Sequence, residues 1–118
     1  MSVKNIVQAM PMISIDSATF TGAYQLLTAA AGLTVAPFLI IFINNSDRDI
    51  TISYDGVIDH DFNPAFIGTI PTQRNFQTNS QPQSHVALLP LGQKVYVKGL
   101  AGGTGLFYMV GYYSPRGA

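Results

Sequence analysis

Between Pro37 and Asp61 the pattern of apolar and polar positions changes repeatedly, and each change marks an element. Phe38 to Ile43 is apolar at every position and rich in β-branched residues. Bounded by Pro37 and Asn44-Asn45, it predicts a central strand covered on both faces, so that Phe38, Ile40 and Phe42 and their neighbours Leu39, Ile41 and Ile43 are all largely buried. Asp47 to Asp49 turns the chain. Ile50, Ile52 and Tyr54 then alternate with Thr51 and Ser53, the period of a half-buried strand. Asp55-Gly56 predicts a two-residue hairpin turn with positive φ at both central positions, and Val57 to Phe62 returns. Three strands in about 25 residues point to an all-β sandwich or barrel. The candidate core is Phe38, Ile40, Phe42, Ile50, Ile52 and Tyr54, and Asp55 and Gly56 form the structural turn.

The flanking segments fit the same class. Met1 to Pro11 reads as an N-terminal arm or edge strand, with Ile6, Val7 and Met10 as its apolar positions. From Thr19 to Leu27, Phe20, Gly22, Tyr24 and Leu26 fall on one face of a strand. The alanines up to Ala31 also allow a short helix capped by Gly32; a strand followed by a loop suits the preceding alternation better. Asn63 to Phe76 is cut into short pieces by Pro64, Gly68 and Pro71. Gln77 to Ser84 is rich in side-chain amides and predicts an exposed loop. Val86 to Leu89, Lys94 to Lys98 and Leu106 to Tyr113 complete the set. The total is roughly eight to ten strands, spaced as in a single antiparallel β-sandwich of jelly-roll-like kind, with residues 12–118 as one domain.

Composition narrows the role. At 118 residues the chain has area enough for one core, roughly two thirds of its unfolded surface being buried on area scaling. There is no Cys, which removes disulfides, thiolate metal sites and thiol nucleophiles. Net charge is zero and charged residues are 10%, against roughly a quarter in ordinary soluble domains. Either the surface is simply rich in Thr, Ser, Asn and Gln, or much of it meets other protein, since interface cores are depleted in charge. No basic excess exists for nucleic acid. The uncharged run from Ser17 to Ser46 is interrupted by Gly32, Thr34 and Pro37, so no membrane span is expected, and no signal peptide is indicated. Asn44-Asn45-Ser46 matches a glycosylation acceptor pattern that has no use without secretion.

Candidate chemistry is thin. Asp47, Asp49, Asp55, Asp59 and Asp61 are oxygen ligands of the kind calcium takes, but their spacing matches no loop cage, and Asp is a common turn residue. In a strand, Asp59 and Asp61 share a face and His60 opposes them, which is poor geometry for a triad or a metal. His85 stands alone. The glycines from Gly99 to Gly105 lack the Gly-Lys-Ser/Thr ending and the following helix of a phosphate loop. Tyr54, Tyr108, Tyr112 and Tyr113 offer a sugar-stacking platform or, more ordinarily, packing. No catalytic residue, metal site or cofactor is expected.

Ile13 to Gln25, then the run from Ile43 through Asn-Asn-Ser-Asp and Ser-Tyr-Asp-Gly to His60, and finally the closing Gly-Tyr-Tyr, resemble a group of small all-β virion structural proteins of tailed bacteriophages, the head decoration and head–tail neck proteins. The resemblance implies a non-enzymatic structural protein of the virion, assembled in the host bacterial cytoplasm, with a capsid decoration or cement role first. A head–tail connector, collar or fibre-attachment role, or a small glycan-binding module, is the alternative. Implied partners are the chain itself as a homo-oligomer, a trimer being expected, and major capsid or neck proteins.

Overall fold

Two long strands organise the molecule, and each carries an apolar run, Phe38 to Ile43 in one and Leu106 to Val110 in the other. The computed structural model describes residues 7–77 and 89–114. Expectations about residues 1–6, most of the amide-rich loop, His85 and the start of the Val86 strand lie outside the described residues. The described strands are β1 (Gln8–Ala9), β2 (Ile13–Asp16), β3 (Gln25–Leu26), β4 (Pro37–Ser46), β5 (Ile50–Ser53), β6 (Asp61–Asn63), β7 (Thr72–Gln77), β8 (Tyr96–Lys98) and β9 (Gly105–Tyr113).

They form two antiparallel sheets packed face to face. In the first, β1 and β2 both lie along β9, followed by β4 and β7; in the second the order is β3-β8-β5-β6. The register changes by one residue between Ala9↔Tyr112 and Ile13↔Met109. Pro11 sits in that gap and has no N–H to give the ladder, so β1 and β2 are one edge strand broken by a bulge. Counted so, the first strand pairs with the last, β3 with β8, β4 with β7 and β5 with β6. This nested pairing across two sheets is a jelly roll.

Strand parity decides the core. Along β4, Ile40, Phe42, Asn44 and Ser46 are buried, whereas Leu39, Ile41 and Ile43 are only half-buried, so the expected cover on both faces is not found: no second layer of the described residues lies over the outer face. Ile50 and Ile52 from β5, Val95 and Val97 from the β8 segment, and Phe107 and Met109 from β9 meet Ile40 and Phe42 between the sheets, all 0% exposed. The Phe42 and Phe107 rings stack with centroids 5.8 Å apart. Two expected core residues differ. Phe38 is half-buried, because the register shifts between Pro37 and Leu39 and leaves it at the irregularity. Tyr54 is half-buried and packs against the core from its edge.

The Thr19 to Leu27 segment also departs from its expected pattern. A 3-10 turn at Ser17–Thr19 and a turn at Gly22 interrupt it, so only Gln25–Leu26 is strand. Phe20 is buried, but so is Leu27, on the parity opposite to Leu26. The turn at Gly22 resets the alternation that the sequence presents as continuous.

At one end of the sandwich the sheets are tied by a buried amide. The Asn44 side-chain nitrogen lies 2.8 Å from the Arg48 carbonyl and 3.0 Å from those of both Asn63 and Pro64, to which it donates. Its oxygen accepts from the backbone N–H and hydroxyl of Ser46, at 3.0 and 2.6 Å. Asn63 Nδ2 donates back to the Phe42 carbonyl at 3.4 Å, and its oxygen accepts from the Thr72 hydroxyl at 2.6 Å. Asn44 and Asn63 are both 0% exposed. On the adjacent edge, Arg74 of β7 shares the inward face with Phe42 and meets Asp61 of β6 at 2.6 Å. An inward charge on an edge strand also opposes edge-to-edge pairing.

The two faces of β4 differ measurably. Ile40→Ala is expected to lower unfolding free energy by about 2–5 kcal/mol and Ile41→Ala by about 1 kcal/mol in the isolated chain, read from urea denaturation. Equal losses would contradict the assigned parity. Asn44→Asp replaces two N–H donors by a carboxylate facing three carbonyl oxygens, and is expected to cost about 3 kcal/mol or more in the same assay.

Candidate functional site

The β5–β6 connection is wider than the sequence indicates. Among the described residues no non-glycine residue has positive φ, so Asp55 is not left-handed; Gly56 alone is, at φ 78°. The reason is the Asp55 side chain. Its Oδ1 accepts from the backbone N–H groups of Val57 and Ile58, at 2.8 and 2.9 Å, and from the Ser53 hydroxyl at 2.9 Å. A carboxylate that satisfies the next residues' donors replaces the tight two-residue turn with a broader one. Pairing resumes only at Asp61, leaving Val57 and Ile58 exposed. The same N–H groups, Ile58 first, hold the Asp55 carboxyl down at about 2. A side chain at Gly56 would meet the Tyr96 ring at 3.2 Å as well as the unfavourable φ.

The acidic residues do not converge. Asp55 serves its own loop. Asp59 accepts from the Tyr24 hydroxyl and pairs with Lys98 at 3.2 Å, while Lys98 sits 4.5 Å from the centre of the Tyr24 ring. Burial, then Asp59, pushes the Tyr24 phenol up to about 12; the Tyr24 hydrogen bond, then Lys98, pulls Asp59 below the usual carboxylate range. Asp61 turns to Arg74, Asp49 accepts from the Ala65 N–H at 2.9 Å, and Asp47 from the Thr104 N–H at 2.8 Å. The expected shared face of Asp59 and Asp61 is not formed, because Asp59 and His60 precede the strand that Asp61 begins. His60 Nδ1 accepts from the Tyr54 N–H at 3.0 Å, a local bond. Among the described residues no three His, Asp or Glu side chains group as metal ligands would.

The glycine loop is structural too. Arg48 donates to the Ala101 and Gly102 carbonyls at 3.0–3.2 Å, so the loop is held through its carbonyl oxygens by a side chain of the protein. The glycosylation pattern is equally closed, since the Asn44 amide is buried and fully engaged.

The tyrosines separate. Tyr108 and Tyr112 lie on the outer face of the first sheet, four residues apart along β9 and so about 13 Å from each other. Tyr113 points the other way, packs against the core and donates to Gln8 Oε1 at 3.0 Å. Tyr54 belongs to the second sheet. No four-tyrosine platform forms.

Two surface features remain. One is the outer face of the first sheet, where the ladder sets Leu39 beside Tyr112, Ile41 beside Val110 and Ile43 beside Tyr108. Gln73 and Asn75 border it on one side and Ser14 on the other, and none of these residues is charged. The other is an open cleft of about 340 Å³ at the end of the sandwich opposite the Asn44 pin, lined by Tyr54, Tyr96, Pro90 and Leu91 together with the polar Asp55, Gln93 and Lys94. Sequence reasoning missed both the cleft and the Asn44 pin. Extending the β4 parity past Ile43, which puts Asn44 and Ser46 inward with Ile40 and Phe42, was the available signal for the pin.

Comparison with known proteins found no matching family model, no matching curated protein and no matching solved structure. Among the described residues no helix is long and apolar enough to cross a membrane.

Gly56→Val is expected to lower stability by on the order of 1–2 kcal/mol, measured by thermal melting. Because the folded-state pKa of Asp55 is depressed, its stabilising effect is complete above the unfolded value near ~3.9 and disappears as pH falls through about 2. Carboxyl NMR titration should give an Asp55 midpoint well below that of a free aspartate, and Asp55→Ala should remove the protection of the Val57 and Ile58 amides from hydrogen exchange.

Proposed function

We propose that this chain is a non-enzymatic structural protein of a tailed-bacteriophage virion, most directly a capsid decoration or cement protein. The observation that carries the proposal is the outer face of the first sheet. Leu39, Ile41, Ile43, Tyr108, Val110 and Tyr112 form an apolar field bordered by Gln73, Asn75 and Ser14, with Asp16, at its Leu106 end, a charge on the same face. Such a field suits burial against an uncharged, apolar protein surface, and the low charge of the whole chain agrees with it. The jelly roll is shared by capsid and lectin domains, so it supports the reading only as an analogy of fold. Asp47, Asp49, Asp55, Asp59, Asp61, His60 and Arg48 each have a local partner, which favours a scaffold over a catalyst. Scattering of the tyrosines weighs against glycan binding.

The test is the particle. The protein is expected in many symmetric copies per virion, retained through purification. Ile41→Asp should leave the isolated chain folded while lowering its occupancy on particles at least tenfold. Absence from purified particles, or specific sugar binding by the isolated chain, would overturn the proposal.

A further inference from the structure

We infer that the Asp55-Gly56 bond is a latent site of backbone isomerisation, and that the Ser53 hydroxyl keeps it closed in the folded chain. This follows from the β5–β6 turn alone and is independent of the virion role. An aspartate followed by glycine is open to the reaction because glycine puts no side chain beside its own nitrogen. That nitrogen attacks the aspartic acid Cγ. A C–N bond forms, the bond from Cγ to the carboxyl OH breaks, and water leaves with that OH and the amide hydrogen. A second water then opens the five-membered imide. Cleavage of the new C–N bond returns aspartate. Cleavage of the original one leaves isoaspartate, with the chain running through Cγ. One water is lost and one regained, and no other reactant is used.

The turn opposes each part of that step. The nucleophile is tied, since the Gly56 N–H donates to Ser53 Oγ at 2.9 Å. The carboxyl must be protonated to react, because its OH leaves as water and a bare oxygen does not. Asp55 Oδ1 instead accepts from the Val57 and Ile58 N–H groups and from the Ser53 hydroxyl. The backbone donors hold the carboxyl down at about 2, which cuts its protonated fraction at neutral pH by roughly fiftyfold against a free aspartate. Closing the ring would also turn the carboxylate into a neutral imide carbonyl and so weaken its charge-assisted bonds.

Ser53 joins these effects. Its hydroxyl donates its one proton to the carboxylate and accepts from the N–H groups of Asp55 and Gly56, at 3.3 and 2.9 Å. Ser53 is fully buried and closes β5, where it pairs with Tyr96 of β8, so a strand holds it rather than the loop it controls. The Tyr96 ring lies 3.2 Å from where a Gly56 Cβ would stand, on the side that glycine leaves bare. Isomerisation would undo the loop from within. Isoaspartate adds one carbon to the backbone and moves the carboxylate, so the Val57 and Ile58 N–H groups lose their acceptor. The loop that carries those two exposed side chains then loses its shape.

The test compares the full-length protein folded in buffer with the same chain kept unfolded in guanidinium chloride, both at neutral pH over several weeks. Isoaspartate at Asp55 is read by mass spectrometry of the peptide that contains it. The folded chain is expected to accumulate it at least about tenfold more slowly than the unfolded one. Ser53→Ala, shown by circular dichroism to be folded, is expected to lose most of that difference. Hydrogen exchange of the Gly56 amide, followed by NMR in the wild type, is expected to be slow. Isomerisation of the folded wild type at the unfolded rate would overturn the inference, as would a Gly56 amide that exchanges as freely as in the unfolded chain. A folded Ser53→Ala that stays as slow as wild type would also overturn it. Where Ser53→Ala does not fold, the two wild-type measurements decide. None of these readouts involves particles, so the virion proposal stands or falls apart from them.

Discussion

The Asn44 amide is the interaction on which the arrangement of the two sheets depends. Its donors bridge the turn after β4 and the chain leaving β6, and its oxygen holds Ser46. Apolar packing between sheets is non-directional and tolerates sliding; a buried amide with every hydrogen-bonding group engaged does not. Together with Asn63 and Thr72 it sets which residues of β4, β6 and β7 lie level with one another at that end. The Arg74–Asp61 pair extends the tie along the edge, in a more exposed and so weaker form.

That pin leaves the molecule with a closed interior and apolar features outside it. The jelly roll uses β9 and β4 as central strands, so the apolar residues of both parities along them must go somewhere. One parity fills the core. The other, Leu39, Ile41 and Ile43 with Tyr108, Val110 and Tyr112, has no second layer among the described residues and forms a neutral field. The same logic applies at the ends, where Ile67 and Ile70 project from one and Leu91 lines the other. A small chain with few charges thus leaves apolar surface on a face and at both ends, and the proposed contact with other protein rests on that surface.

The polar residues support this division. Asp55, Asp59, Asp61 and Arg48 each have defined local partners, and each shapes a loop. The depressed Asp55 pKa follows from backbone donors in its own turn, so it is a sign of turn geometry and not of a poised acid.

The sequence by itself determined the strand-rich class, the central position of the Phe38 to Ile43 run, and the alternation that turns Ile50 and Ile52 inward, but not which face of the run fills the core. These depend on alternation within a few residues, which is a local property of an extended chain. Tertiary structure decided the rest. Phe38 leaves the core because a register shift occurs beside it, and Leu27 replaces Leu26 because a turn resets the count. Asp55-Gly56 opens into a wider loop because one carboxylate oxygen collects two following N–H groups, a bond that composition does not reveal. Asn44 and Asn63, 19 positions apart, meet only when β4 and β6 are stacked in different sheets. Which strands become neighbours is settled by packing over the whole chain, and so the pin, the cleft and the apolar outer face exist only in the folded molecule.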